Sequence, residues 1–201
     1  MIIRSAVIKC SAPDLASCPE PELPEFAFIG RSNVGKSSLV NILTRKGGHA
    51  RDSAMPGKTR LINFFTINDT WNLVDLPGYG YAKVARAERA KFSSFVADYL
   101  QKRPNLVGTF VLIDSRLEPQ AIDLEFLRWM VECGLPFMLV FTKTDKLSRK
   151  ALQANIDAFL LRVREISEEA PPVLQCSSKD GDGRKEILGT IADALAEDPD
   201  A

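Results

Sequence analysis

The chain has 201 residues, 45% apolar and 26% charged, with 26 basic side chains against 26 acidic ones. That composition is that of a soluble globular protein, with length enough for one domain and a real core. It excludes a bilayer-spanning segment, because runs such as "FMLVF" are too short, and "MIIRSAVIKC" carries Arg4 and Lys9 where a signal peptide needs an unbroken apolar stretch. A cytoplasmic protein without membrane contact is the expectation. Cys10, Cys18, Cys133 and Cys176 include no CxxC pair and His49 is the one histidine. Reduced, mostly buried thiols and no zinc site are therefore expected, with His49 solvated in a loop. The charge is uneven: 13 Lys and Arg against 5 Asp and Glu between Arg31 and Arg103, and 13 against 21 elsewhere. Part of the basic excess suits bound phosphate, and the remainder either faces nucleic acid or averages out over the surface.

In chain order, residues 1–24 read as an irregular extension, with prolines at 13, 19, 21 and 24 and a short strand at Ile2–Lys9. Strands are expected at Glu25–Gly30, Leu61–Ile67, Thr70–Asp75, Leu106–Asp114, Pro136–Thr142 and Val173–Cys176, most of them short and continuously apolar, as in a sheet covered on both faces. Helices are expected at Lys36–Leu43, Arg86–Lys102, Pro119–Cys133, Ser148–Ser167 and Arg184–Glu197. The stripe Phe92, Phe95, Val96, Tyr99, Leu100 has helical spacing and belongs to a core. "ND" at 68–69 makes a tight turn, so the strands on either side form a hairpin. The pattern is α/β: six strands, mainly parallel with one antiparallel, and helices on both faces. One domain over 25–197 and a frayed acidic tail over 198–201 complete the division.

"GRSNVGKS" fits G-x-x-x-x-G-K-[ST] between an expected strand and an expected helix. Gly30 and Gly35 permit backbone conformations and approaches that a Cβ obstructs. Gly30, Arg31, Ser32, Asn33, Val34, Gly35, Lys36, Ser37 and Ser38 then form a phosphate cradle at a helix N-terminus. Lys36 is placed for the β- and γ-phosphates and the Ser37 hydroxyl for Mg²⁺. The loop alone does not separate GTP from ATP, or a hydrolase from a kinase. "DLPG" ends a strand 39 residues after Lys36, with Asp75 placed to hold Mg²⁺ through water and the Gly78 N–H to sense a γ-phosphate. Leu76 and Pro77 line the same stretch. Before it, "PGKT" supplies Gly57, Lys58 and Thr59, and Thr59 is expected to complete the Mg²⁺ shell, the alternative being a surface turn residue.

"TKTD", residues Thr142, Lys143, Thr144 and Asp145, resembles the N-K-x-D guanine motif of the GTPase superfamily. A carboxylate at 145 accepts from guanine N1–H and the exocyclic amine, whereas adenine offers no N1 donor; a site built on such bonds rejects the wrong base by roughly 10⁴–10⁵. The Lys143 stem stacks on the base. Thr142 departs from the motif's asparagine: its shorter hydroxyl is suited to holding the loop and reaches less far toward the base. Ser177, Ser178 and Lys179 resemble the S-A-K loop, whose backbone N–H reads guanine O6.

These motifs stand in the order of the translation-factor-like GTPases. "FAFIGRSNVGKSSLVN", "PGKTRLINFF", "DLPGYGYAKV" and "TKTDKL" together resemble the EngB (YihA/YsxC) family of GTP-binding proteins, from about Glu25 to Ala196. The resemblance implies a Ras-like P-loop GTPase fold in three layers, GTP and GDP as ligands with Mg²⁺, and assistance to large ribosomal subunit assembly through rRNA and ribosomal proteins. It also implies a need for normal cell division and septation. A monomer that does not bind DNA is the expectation. Many small GTPases place a water-orienting glutamine directly after D-x-x-G. Here Tyr79 stands there, and slow intrinsic turnover follows unless water activation comes from elsewhere. In glutamine-lacking relatives the asparagine matching Asn33 helps bind K⁺, which the resemblance implies here; the alternative is a hydrogen bond from Asn33 that shapes its own loop. Lys36, Asn33, Thr59 and Gly78 are thus the candidate catalytic residues. Tyr79, Tyr81, Lys83, Arg86 and Arg89 suit an rRNA-facing patch, the alternative being that the tyrosines pack on the helix at Arg86–Lys102. A P-loop kinase or ATPase leaves TKTD and SSK unexplained. A GTP-gated binding protein with negligible intrinsic turnover remains the nearer rival.

Overall fold

The computed structural model describes residues 1–44, 61–79 and 86–197, with the backbone alone over 86–93. Gly57, Lys58, Thr59, Tyr81, Lys83, His49 and the acidic tail lie outside the described residues. The elements are β1 (Ala6–Ala12), β2 (Glu25–Gly30), α1 (Lys36–Leu43), β3 (Ile62–Ile67), β4 (Trp71–Asp75), α2 (Arg86–Lys102), β5 (Leu106–Asp114), α3 (Ala121–Glu132), β6 (Phe137–Thr142), α4 (Arg149–Val163), β7 (Val173–Gln175) and α5 (Arg184–Glu197).

The sheet has the order β1-β3-β4-β2-β5-β6-β7. Strand β2 is parallel to β4 and β5, β5 to β6, and β6 to β7, while β3 is antiparallel to both β1 and β4. Among the described residues β3 therefore runs alone against the rest, as the hairpin pattern predicts. The hairpin turns through Asn68 (φ 51°) and Asp69 (φ 58°), two residue types that tolerate the left-handed region.

Strand β1 makes the sheet seven-stranded where the apolar runs point to six. It begins at Ala6, four residues later than expected, because the chain before it is tied to the hairpin tip. Asn68 Oδ1 accepts from Arg4 N (2.7 Å) and Ser5 N (3.1 Å), and Asn68 Nδ2 donates to Ile2 O (2.8 Å). Residues 2–5 are thereby held around the turn, and ladder pairing starts with Ala6 opposite Ile67.

Alternation along the central strands sorts side chains onto two cores. Ala27, Ile29, Val111, Ile113, Leu139 and Phe141 meet Tyr99 and Leu100 of α2, Leu127 and Met130 of α3, and Ile156 and Phe159 of α4. Phe26, Phe28, Phe110, Leu112 and Val140 meet Leu39 and Leu43 of α1 and Ile187 and Ile191 of α5. This is the three-layer arrangement expected. The α2 stripe is core at Val96, Tyr99 and Leu100, with Phe95 packed at its margin. Of the four free thiols only Cys176 is fully buried, and the other three are half-buried. Burial pushes the Cys176 thiol up to about 12 and the Cys18 thiol up to about 11.

At the N-terminal end of β2, Glu25 is 0% exposed. Its carboxylate accepts from the Arg103 guanidinium twice, at 2.8 Å each, and from the Tyr99 hydroxyl at 2.6 Å. Arg103 also donates to Pro19 O at 2.7 Å and lies over the Phe64 ring. The N-terminal extension, β2 and the end of α2 are thus locked together on the side of the sheet away from the motifs.

Candidate nucleotide site

The described motif residues gather at the C-terminal ends of the parallel strands, where open α/β sheets bind ligands. Gly30 closes β2, Asp75 closes β4, Thr142 closes β6, and Ser177 follows β7. A Cβ at Gly30 would meet Leu112 O at 2.8 Å and Val34 Cγ1 at 3.0 Å, so the loop leaves the strand at a point with no room for a side chain. Asn33 (φ 65°) and Gly35 (φ 104°) then take left-handed conformations, and Gly35 leads into α1, whose first bond is Leu39 N to Gly35 O.

Lys36 Nζ meets Asp75 Oδ1 directly, and both side chains are buried, at 9% and 4% exposure. Asp75 sits opposite Phe28 in the β2–β4 ladder, and Leu76 N donates to Phe28 O at 3.0 Å. Leu76 therefore spends its N–H on the sheet and its side chain on the core. Gly78 follows two residues later, hard against the phosphate loop: a Cβ there would lie 2.6 Å from Gly30 O. Ser37 is half-buried, and among the described residues its hydroxyl makes no hydrogen bond. The Ser37 hydroxyl and the buried Asp75 carboxylate are hard oxygen donors of the kind that share Mg²⁺ with a substrate's phosphates. The residues fit that ion.

The base side is built around Thr142. Its hydroxyl donates to Val34 O at 2.6 Å, with Ile113 O at 3.2 Å, so it does hold the phosphate loop to β6. Lys143 (φ 61°) donates to Asn33 O at 2.6 Å and to Asp114 Oδ2 at 2.8 Å, and its stem runs over Gly35. Ser177 Oγ donates to Asp145 Oδ1 at 3.0 Å, while Lys146 Nζ lies 2.8 Å from Asp145 Oδ2. The hydrogen bonds from Lys146 and Ser177 lower the Asp145 pKa and keep the carboxylate an acceptor. Thr144 N donates to Cys176 O at 3.3 Å and joins this turn to the Ser177 loop, where Ser178 is half-buried and Lys179 exposed.

Residues 25–143 match the family model described as 50S ribosome-binding GTPase. A probable GTP-binding protein EngB from Bacteroides fragilis is 51% identical over 191 residues, which is 95% of each chain, and one from Porphyromonas gingivalis matches to the same extent. The chain belongs to the EngB family of GTP-binding proteins. Its fold is also that of a solved probable GTP-binding protein engB, at TM-score 0.68 and 23% identity over 87% of this chain and 100% of that one. The G domain of the T. maritima FeoB iron transporter superposes at TM-score 0.54 and 26% identity, covering 86% and 99%. EngB membership brings the chain into the GTPases, with guanine-nucleotide binding, GTP hydrolysis in general and usually Mg²⁺.

Four residues of this EngB chain serve the site without having been legible as motif members. Asn63 of β3 faces Asp75 across the hairpin and donates to its Oδ2 at 3.4 Å. Counting back from the Asn68–Asp69 turn reaches it, as the polar residue in "INFFTI" opposite Asp75. Asp114 pairs with Arg116 at 2.8 Å as well as with Lys143. Burial raises its pKa, but the hydrogen bonds from Arg116 and Lys143 outweigh that and hold it at about 2. Its signal is an acidic residue at the C-terminal end of an apolar strand. Asp180 caps the Ser177 loop, donating N–H to Ser177 Oγ at 3.2 Å.

The fourth is Asp123, and it changes the reading of Tyr79. Among the described residues the tyrosine packs on α3: its ring stacks on Phe126 at 4.4 Å and its hydroxyl donates to Asp123 Oδ1 at 3.0 Å. Burial pushes the Tyr79 phenol well up, and the Asp123 charge adds to this. Arg31 turns the same way, its Nε 3.3 Å from Asp123 Oδ2. Arg86 and Arg89 lie on α2, with side chains outside the described residues.

Proposed function

We propose that this EngB chain is a GTP-operated switch of the cytoplasm that assists large ribosomal subunit assembly and, through ribosome supply, normal cell division. The observation that carries the nucleotide part is the meeting of Lys36, Asp75 and Gly78 with the Thr142–Asp145 turn around one loop. The ribosomal part rests on the family description, 50S ribosome-binding GTPase. In this reading Lys36 exchanges the Asp75 carboxylate for the β- and γ-phosphates, and the Gly30–Ser38 backbone cradles them. Gly57, Lys58 and Thr59 belong to the nucleotide-binding set in this reading. Asp145 accepts from the guanine edge, Lys143 covers its face, and Ser177, Ser178 and Lys179 frame O6. Ser37, Thr59 and Asp75, the last through water, would hold Mg²⁺, which would supply neutralisation of phosphate charge.

Turnover is slow in this reading because Tyr79 spends its hydroxyl on Asp123, and no amide stands in its place to orient water. That same observation favours the second reading, a GTP-gated binder whose intrinsic hydrolysis is negligible until a partner acts. For Asn33 we propose a K⁺ ligand. Its side chain is exposed and makes no hydrogen bond among the described residues, so nothing supports a loop-shaping bond. Hydrolysis faster in KCl than in NaCl, with the difference erased by Asn33→Ala, is expected; equal rates in the two salts refute the ion.

The test of the whole is co-sedimentation of the monomeric chain with large ribosomal subunits, with a non-hydrolysable GTP analogue, with GDP and without nucleotide. Binding favoured by the analogue is expected, weakened by charge reversal at Arg86 and Arg89 if an rRNA patch lies there. No binding in any state refutes the ribosomal role and leaves the GTPase.

A further inference from the structure

The Asp123 carboxylate is 2% exposed, on the first turn of α3, and belongs to none of the nucleotide motifs. A carboxylate this buried is costly unless its charge is met, and losing a partner leaves it uncompensated. The two side chains that meet it come from two different motifs. Arg31 is the residue after Gly30, where β2 becomes the phosphate loop, and Tyr79 is the residue after Gly78. Between those partners the backbone is packed to the limit: a Cβ at Gly78 would lie 2.6 Å from Gly30 O and 3.5 Å from Ser32 N. The Tyr79 ring is fixed a second time by stacking on Phe126, with Trp129 beyond it at 5.8 Å from Phe126.

We infer that Asp123 is a positioning residue of the GTP cycle, which pins Tyr79 to α3 and so holds Gly78 against the phosphate loop, where a γ-phosphate is felt. The inference rests on the nucleotide reading above and goes beyond it, because it assigns the presentation of Gly78 to a residue that touches no nucleotide. GDP has no γ-phosphate and makes no demand on Gly78. Breaking the latch therefore lowers affinity for the GTP analogue and leaves affinity for GDP in place. A merely structural Asp123 lowers both alike.

The experiment is equilibrium titration of the full chain with fluorescent GDP and with a fluorescent non-hydrolysable GTP analogue, for the unaltered protein, Tyr79→Phe, Asp123→Ala, Asp123→Asn and the double variant Tyr79→Phe/Asp123→Ala. Tyr79→Phe keeps the stack on Phe126 and removes one hydroxyl, so it tests the latch without emptying the core. We expect it to weaken analogue binding about 3- to 10-fold, the range of one ordinary intramolecular hydrogen bond, with GDP within 2-fold. Asp123→Asn keeps an acceptor for the phenol and recovers part of the loss seen in Asp123→Ala. The double variant is no worse than Asp123→Ala alone, because both changes break one contact. Equal weakening of both nucleotides, no change in either, or additive losses in the double variant overturns the inference. Failure of the unaltered chain to bind either nucleotide overturns the functional reading itself, and this inference with it.

Discussion

Strand β2 is flanked by a buried charge centre at each end, and the two are built differently. At its start, Glu25 meets two guanidinium nitrogens and a phenol, all within 2.8 Å, and is 0% exposed. At its other end, past the phosphate loop, Lys36 meets Asp75. An ammonium has three donors, and among the described residues Lys36 uses one. Asp75 has one further donor, Asn63, at 3.4 Å. The first centre is saturated and gains nothing from a ligand. The second keeps donors and lone pairs in reserve and sits at the mouth of the site. Buried charge in this fold therefore does two jobs, and hydrogen-bond saturation tells them apart better than burial does.

The largest effect expected from that difference is on nucleotide affinity. Lys36→Met removes charge-assisted bonds to two phosphates, a loss of about 3–4 kcal/mol or roughly 10²–10³-fold in GTP affinity. The same change also leaves the buried Asp75 carboxylate with Asn63 alone, at 3.4 Å, and costs the fold about 3 kcal/mol. Arg103→Met separates stability from affinity. It leaves Glu25 with the Tyr99 hydroxyl alone and costs about 3–5 kcal/mol of unfolding free energy, with GTP affinity within 2-fold of the parent. Urea unfolding and nucleotide titration of both variants decide it, and an Arg103→Met protein that loses as much GTP affinity as Lys36→Met would erase the distinction.

A smaller effect sharpens the comparison through pH. Asp114 lies at the functional end but is saturated, by Arg116 and Lys143. Its pKa of about 2 lies below its ordinary 3.8, so it stabilises the folded state above the unfolded value. That contribution, about 2 kcal/mol once the exposure of Arg116 is allowed for, is complete near pH 6 and lost as pH falls through about 2. Unfolding free energies of the parent and Asp114→Asn should therefore converge on acidification from pH 6 to pH 2.5. A constant gap would contradict the assigned ion pairing.

Much of this was legible in the sequence. The strand–loop–helix context of "GRSNVGKS" and the apolar runs placed β2, α1 and β5 to the residue, and the hairpin turn placed β3 against β4. What escaped was pairing between segments far apart in sequence. Nothing local tells that Asn68 reels in residues 2–5, and with them the edge strand, or that Tyr79 packs on α3. Asp123 reads as an ordinary acidic residue in the first turn of a helix, and only the fold brings Arg31 and Tyr79 to it from 92 and 44 residues away. Periodicity and motif spacing report local geometry; satisfaction of buried polar groups is a property of the packed whole.

The smallest effect concerns the residue where this chain leaves the guanine motif. Thr142 is buried, and its hydroxyl reaches Val34 O at 2.6 Å, so it fastens the phosphate loop to β6. It contributes through the loop, before any base is present. Thr142→Val keeps the shape and removes only the donor, leaving the Val34 carbonyl without that partner, at a cost of about 1 kcal/mol or roughly fivefold. Because the loop cradles the phosphates of GDP and GTP alike, both affinities should fall together, and ATP should stay excluded because Asp145 is untouched. A loss confined to discrimination between guanine and adenine would instead mean that the Thr142 hydroxyl reads the base, and that its hold on the loop is incidental.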